Sequence, residues 1–171
     1  AYSSYQLAYA RGDLAGAEEA LRTVLDDERA RDDADLRSFF LRCLASILEE
    51  RGKPEAARSA LNDAASVSVS SLEAAMMTAS AWLNVLGDAD AALASASELL
   101  PQVISDKAKR SLAAQLLALK GRCLAELGQS EAARSCLLDL RALSQPHIVE
   151  HALELCELLL SHDASRKLAR A

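Results

Sequence analysis

Aromatic side chains are scarce in this 171-residue chain: one Trp, three Tyr and two Phe. Glycine (6) and proline (3) are also few. A sheet protein needs turn residues at short intervals and strands rich in β-branched or aromatic residues. Long runs of that kind are missing here, which excludes a sandwich or a barrel. No stretch holds many basic residues without acids among them, the most basic piece being the short C-terminal "SRKLARA", and the net charge is −6. That excludes a surface built to displace the counterions of nucleic acid. The longest uncharged stretch, Ala74 to Gly87, contains Thr, Ser and Asn and is too short to cross a bilayer. No secretory signal pattern is present. The four cysteines, Cys43, Cys123, Cys136 and Cys156, sit in helical patterns with no CxxC. They read as small buried apolar residues in a reducing, cytoplasmic setting rather than as a disulfide framework. There is no GxSxG, no phosphate loop and no HExxH, so neither an enzyme nor a cofactor is expected. The sequence opens on Ala1, already inside a helical pattern, and reads as a segment of a longer protein or a processed one.

What is present is alanine and leucine in helical spacing. Apolar residues reach 51 %, and the composition is that of an all-α protein. One short segment recurs four times: "ARGDLAGAEEAL" at 10–21, "ERGKPEAARSAL" at 50–61, "VLGDADAALASA" at 85–96 and "ELGQSEAARSCL" at 126–137. Each has a glycine (Gly12, Gly52, Gly87, Gly128) and, five residues on, an alanine (Ala17, Ala57, Ala92, Ala133). Leu21, Leu61, Ala96 and Leu137 follow at plus nine, and Val24, Ala64, Leu99 and Leu140 at plus twelve. Such steps mark one face of a helix. The glycine supplies a left-handed residue that ends one helix. Asp13, Asp88 or Ser130 is placed to cap the next, and Pro54 suits its first turn. The unit is therefore an αα-hairpin, with the alanine where its two helices come closest. The glycines are 40, 35 and 41 residues apart. A single hairpin cannot hide its apolar face, so a stacked array is expected.

The pattern resembles the tetratricopeptide repeat family. That motif has a small residue seven before the turn glycine and alanine five after it. The minus-seven positions here are Tyr5, Ala45, Ser80 and Gly121, and Gly121 fits best. The family's aromatic after the turn is replaced by Leu14, Pro54, Ala89 and Ser130, and two of the three periods are longer than usual. The resemblance implies a right-handed α-α superhelix of about four hairpins, spanning 1–31, 34–66, 70–101 and 106–143. Stretched repeats of this kind look like those of large bacterial regulators that join a sensor array to other domains.

Helices are expected over 2–11, 14–30, 34–51, 54–65, 71–86, 89–100, 106–127 and 130–143. Ser70-Ser71-Leu72-Glu73 reads as a capping box, and Pro101 closes the sixth helix. A further apolar helix over 146–161, opened by Pro146, is expected to cap the last repeat. The rival reading makes it the first helix of a fifth unit. "DDERARDD" at 26–33 reads as a solvated helix end and loop, and "SVSVSS" at 66–71 as a loop with a helix cap. His147 and His151 have the spacing of two metal ligands on one helix, but no third ligand is fixed, and no metal site is assigned. Trp82 reads as core.

In arrays of this family the first helix of each hairpin lines a concave wall. The resemblance maps Tyr2, Gln6 and Tyr9 to it from the first unit, and Phe39, Arg42, Ser46 and Glu49 from the second. Met77 and Asn84 follow from the third, and Gln115 and Arg122 from the fourth. The lysine and asparagine set with which the family's best-known groove clamps a peptide's C-terminal carboxylate is absent. What remains are aromatic residues, methionine and arginine among polar neighbours, types enriched in binding hot spots. The expected function is a non-enzymatic scaffold that holds a partner protein or peptide, with no nucleic acid or membrane partner. The alternatives are an effector-sensing domain of a bacterial regulator and a self-associating array.

Overall fold

A computed structural model describes residues 2–143 and Glu157. Every regular element among the described residues is helical. The chain divides into two compact units, Ala1–Gly87 and Asp88–Ala171. The first holds α1 (Tyr2–Ala10), α2 (Leu14–Asp26), α3 (Glu28–Asp32), α4 (Ala34–Glu50), α5 (Pro54–Ser66) and α6 (Leu72–Leu86). The second holds α7 (Ala89–Leu99), two 3-10 turns (Leu100–Gln102 and Lys107–Lys109), α8 (Arg110–Glu126) and α9 (Ser130–Ala142). In the first unit α1 pairs with α2 and α4 with α5, while α2 lies on α4, and α6 on both α4 and α5. In the second, α8 packs on both α7 and α9.

All four glycines of the repeated segment have positive φ: Gly12 73°, Gly52 69°, Gly87 62° and Gly128 73°. Three of the turns close in the same way. The residue after the glycine donates its amide to the carbonyl four before the glycine: Asp13 to Ala8 (3.0 Å), Lys53 to Leu48 (2.8 Å) and Gln129 to Leu124 (2.7 Å). The glycine amide itself donates to Tyr9, Glu49 or Ala125. This is the Schellman arrangement, which satisfies carbonyls a helix end would otherwise leave bare. At Gly87 the amide instead donates to Leu83, at 3.0 Å.

The alanines five residues on, Ala17, Ala57, Ala92 and Ala133, are all completely buried, as are Leu21, Leu61 and Ala96 at plus nine. In the last segment Cys136 takes the buried place and Leu137 is half-buried. Each fully buried leucine contributes about 2 kcal/mol of apolar transfer. Gly121 is buried on α8.

The caps follow side-chain chemistry and correct two expectations. Asp13 and Asp88 accept from the amides of Gly16 (2.9 Å) and Ala91 (3.0 Å). Ser130 does not cap α9: it is the first helical residue, and Gln129 precedes it with no side-chain cap bond. The α6 cap is Ser71, which accepts from Ala74 at 2.9 Å. The capping box placed it one residue early, because Asp35 takes Ser70 instead, accepting from its amide (2.9 Å) and its hydroxyl (2.5 Å). The helix expected over 14–30 breaks at Asp27, whose carboxylate accepts from the Arg29 amide and starts α3. The charge run is thus partly helical, with Ala30 buried beneath it. The helix expected from 106 begins at Arg110, after a 3-10 turn capped by Asp106. Pro101 lies in the 3-10 turn that follows α7. No described helix is long and apolar enough to cross a membrane. The helix expected over 146–161, with His147, His151 and Cys156, lies outside the described residues.

Candidate binding cavity of the first unit

Three helices of the first unit, α1, α4 and α6, surround an open cavity of about 310 Å³. Tyr5 comes from α1. Phe39, Arg42, Cys43 and Ser46 come from α4, and Met77, Ser80, Ala81, Asn84 and Val85 from α6. On α4 and α6, steps of three and four turn one stripe of each helix toward the opening.

Arg42 is half-buried, and its Nη1 is anchored. It donates to Ser38 Oγ (3.0 Å), Thr78 Oγ1 (3.1 Å) and the Ala74 carbonyl (3.2 Å). Ser38 and Thr78 are buried hydroxyls 3.3 Å apart, on α4 and α6. Thr78 also bonds back to the Ala74 carbonyl, at 3.2 Å. Buried polar groups are stable only when partnered, and this cluster partners them across the packed helices. The guanidinium carbon lies 6.0 Å from the centre of the Phe39 ring, within cation–π range. Burial pulls the Arg42 pKa below its ordinary value, opposed by the Cys43 sulfur and the Asp35 carboxylate. Cys43 is also half-buried rather than fully enclosed as expected. Burial pushes its thiol up, while a Tyr5 hydrogen bond and the Arg42 charge act against that rise.

Of the positions mapped from the sequence, Phe39, Arg42, Ser46, Met77 and Asn84 line this cavity. Met77 is exposed at 51 %. Gln6 and Tyr9 are exposed on α1 but do not line it; Tyr9 Oη donates to Glu50 Oε1 at 3.0 Å and its ring stacks on Tyr5. Glu49 is half-buried and does not line it either; its Oε2 is buried with no partner among the described residues. Gln115 and Arg122 are half-buried on α8, in the second unit. Tyr2 opens α1, and only its backbone is described. Tyr5, which stands where the family pattern has a small residue and does not fit it, lines the cavity and keeps its polar end near the Cys43 thiol. Cys43, Ser80, Ala81 and Val85 were not mapped. Their signal was available, since they lie one to four residues from mapped positions on the same helices.

Trp82 is buried, as expected, and the Arg58 guanidinium carbon lies 5.8 Å from its ring centre. No group of three or more metal-ligating side chains occurs among the described residues. No family model, curated protein or solved structure matches the chain.

Proposed function

We propose that this chain is a non-enzymatic helical-repeat module that binds a protein or peptide in the cavity between α1, α4 and α6. One observation carries the reading: five positions that the family resemblance maps to a groove converge on a single concavity with Tyr5. Their chemistry, an aromatic ring, a guanidinium, an exposed methionine and small polar groups, is that of interface hot spots. An apolar side chain as exposed as Met77 gains by being covered. The proposal extends to a right-handed tetratricopeptide-like array, supported by the three alike Schellman turns and the fully buried alanines. It also places the chain in a reducing cytoplasm, supported by the free thiols of Cys43, Cys123 and Cys136.

Selection from a random peptide display library on the full chain tests the reading. Selected peptides should bind the double variant Phe39→Ala, Met77→Ala at least 10-fold more weakly than wild type. Retained affinity for every selected peptide would sink the assignment.

The volume of about 310 Å³ also falls at the lower end for small-molecule sites, which favours effector sensing as the second reading. A metabolite panel scored by thermal shift separates the two, because a saturating effector raises the melting temperature by mass action.

A further inference from the structure

We infer that the cavity selects a peptide in which an Asp or Glu side chain stands beside a bulky apolar one, the carboxylate on Arg42 and the apolar group against Phe39 and Met77. The inference rests on the peptide-binding reading above and names the chemistry of its ligand.

Charge complementarity carries it. Among the residues that line the cavity, Arg42 alone bears a formal charge. Its Nη1 is committed to Ser38, Ala74 and Thr78, which fixes the plane of the guanidinium. Its Nε and Nη2 make no hydrogen bond among the described residues, and no ion pair joins Arg42 to a described carboxylate. Asp35, which raises its pKa from a distance, has Oδ1 and Oδ2 taken by Ser70. A half-buried cation has lost part of its hydration, and an incoming carboxylate offers charge-assisted hydrogen bonds in its place. The fork of Nε and Nη2 matches the two oxygens of a carboxylate. One cation balances one negative charge, so a carboxylate fits better than a phosphate dianion. Phe39, Met77 and Val85 supply the apolar wall beside it, Ser46 offers a hydroxyl to the peptide backbone, and Ser80 Oγ, which donates to Met76 Sδ, can accept from it.

The test uses the full chain and a library of N-acetylated, C-terminally amidated 12-residue peptides, so that any carboxylate belongs to a side chain. Binders should be enriched in Asp or Glu next to Leu, Ile, Met or Phe. Changing that Glu to Gln in the peptide should weaken binding at least 10-fold on wild type and less than 2-fold on Arg42→Gln. The wild-type comparison needs no protein variant, so the inference stays testable should Arg42→Gln fail to fold. Binders that are weakened by Phe39→Ala, Met77→Ala but indifferent to Glu→Gln would overturn the Arg42 pairing and leave the cavity reading standing. Binders indifferent to both, or a library that yields none, would overturn both. Tighter binding of a phosphoserine at the acidic position would overturn the preference for a single charge.

Discussion

Glu18 on α2 is ion-paired with Arg51 at the end of α4, and the Lys53 ammonium meets the same carboxylate oxygen at 3.0 Å. Arg22, one turn along α2, holds the other oxygen at 3.0 Å. One buried carboxylate thus ties the first hairpin to the turn of the second. Desolvation raises the Glu18 pKa, but hydrogen bonds from Lys53 and Arg22 and the charges of Arg51 and Lys53 outweigh it, and the net shift is downward from 4.5. A lowered folded pKa gives stability that is fully present above 4.5 and lost as the pH falls through the folded value. Glu18→Gln should therefore lower stability at neutral pH by about 1–2 kcal/mol, moderated by solvent around Arg22 and Lys53. Urea melts from pH 7 to pH 3 should show the gap to wild type closing below 4.5. A pH-independent gap would mean that packing, not charge, is what the substitution removes.

Gly52 has open space where a Cβ would sit, yet its φ is 69°. The cost of a side chain there is conformational rather than steric. Gly52→Ala should destabilise by about 1–2 kcal/mol, and Gly52→Asn by less, because asparagine tolerates the left-handed region. Equilibrium denaturation of the two variants checks the order.

Ala57 is fully buried where α5 meets α4. Ala57→Leu adds volume that neither helix can accommodate without moving, and should cost about 1–3 kcal/mol. Ala56→Leu, one residue earlier and half-buried, should cost less. Thermal melts of the pair separate crowding at the hairpin seam from a general effect of leucine.

Cys43 lines the cavity, whereas Cys123 and Cys136 are buried and Cys123 has its pKa pushed up to about 11 by burial. Burial raises all three thiols, so their alkylation in the native chain should be slow, with Cys43 the fastest of the three. A cavity-bound peptide should slow Cys43 further and leave the other two unchanged. Timed iodoacetamide labelling read by peptide mass spectrometry measures this.

The hairpin turns were legible because a glycine in a left-handed turn and an alanine at a helix crossing are demands that few other residues meet. Gly12, Gly52, Gly87 and Gly128 all take that conformation. Half of the cavity was legible through the family resemblance, which maps Phe39, Arg42 and Met77 to one wall, and all three line the cavity. Ser38 and Thr78 were not, since a hydroxyl bonded across two helices leaves no trace in either helix's own pattern. Tyr5 departs from the family's small residue, and a pattern that asks only about size at its position gives no sign that it lines a cavity. The breaks at Asp27 and Asp106 escaped notice because an aspartate that caps a helix and one that merely faces water look alike in a charged run.

Asp35 sits in the first turn of α4 and holds Ser70 just ahead of α6 by both amide and hydroxyl. The starting point of α6 is therefore anchored to its neighbour and not to the length of the linker behind it. Residues 67–69, with Ser68 exposed between two half-buried valines, are a stretch where extra residues can bulge into solvent while one wall of the cavity keeps its register. A tag or a reporter spliced there would ride on the protein without disturbing the cavity.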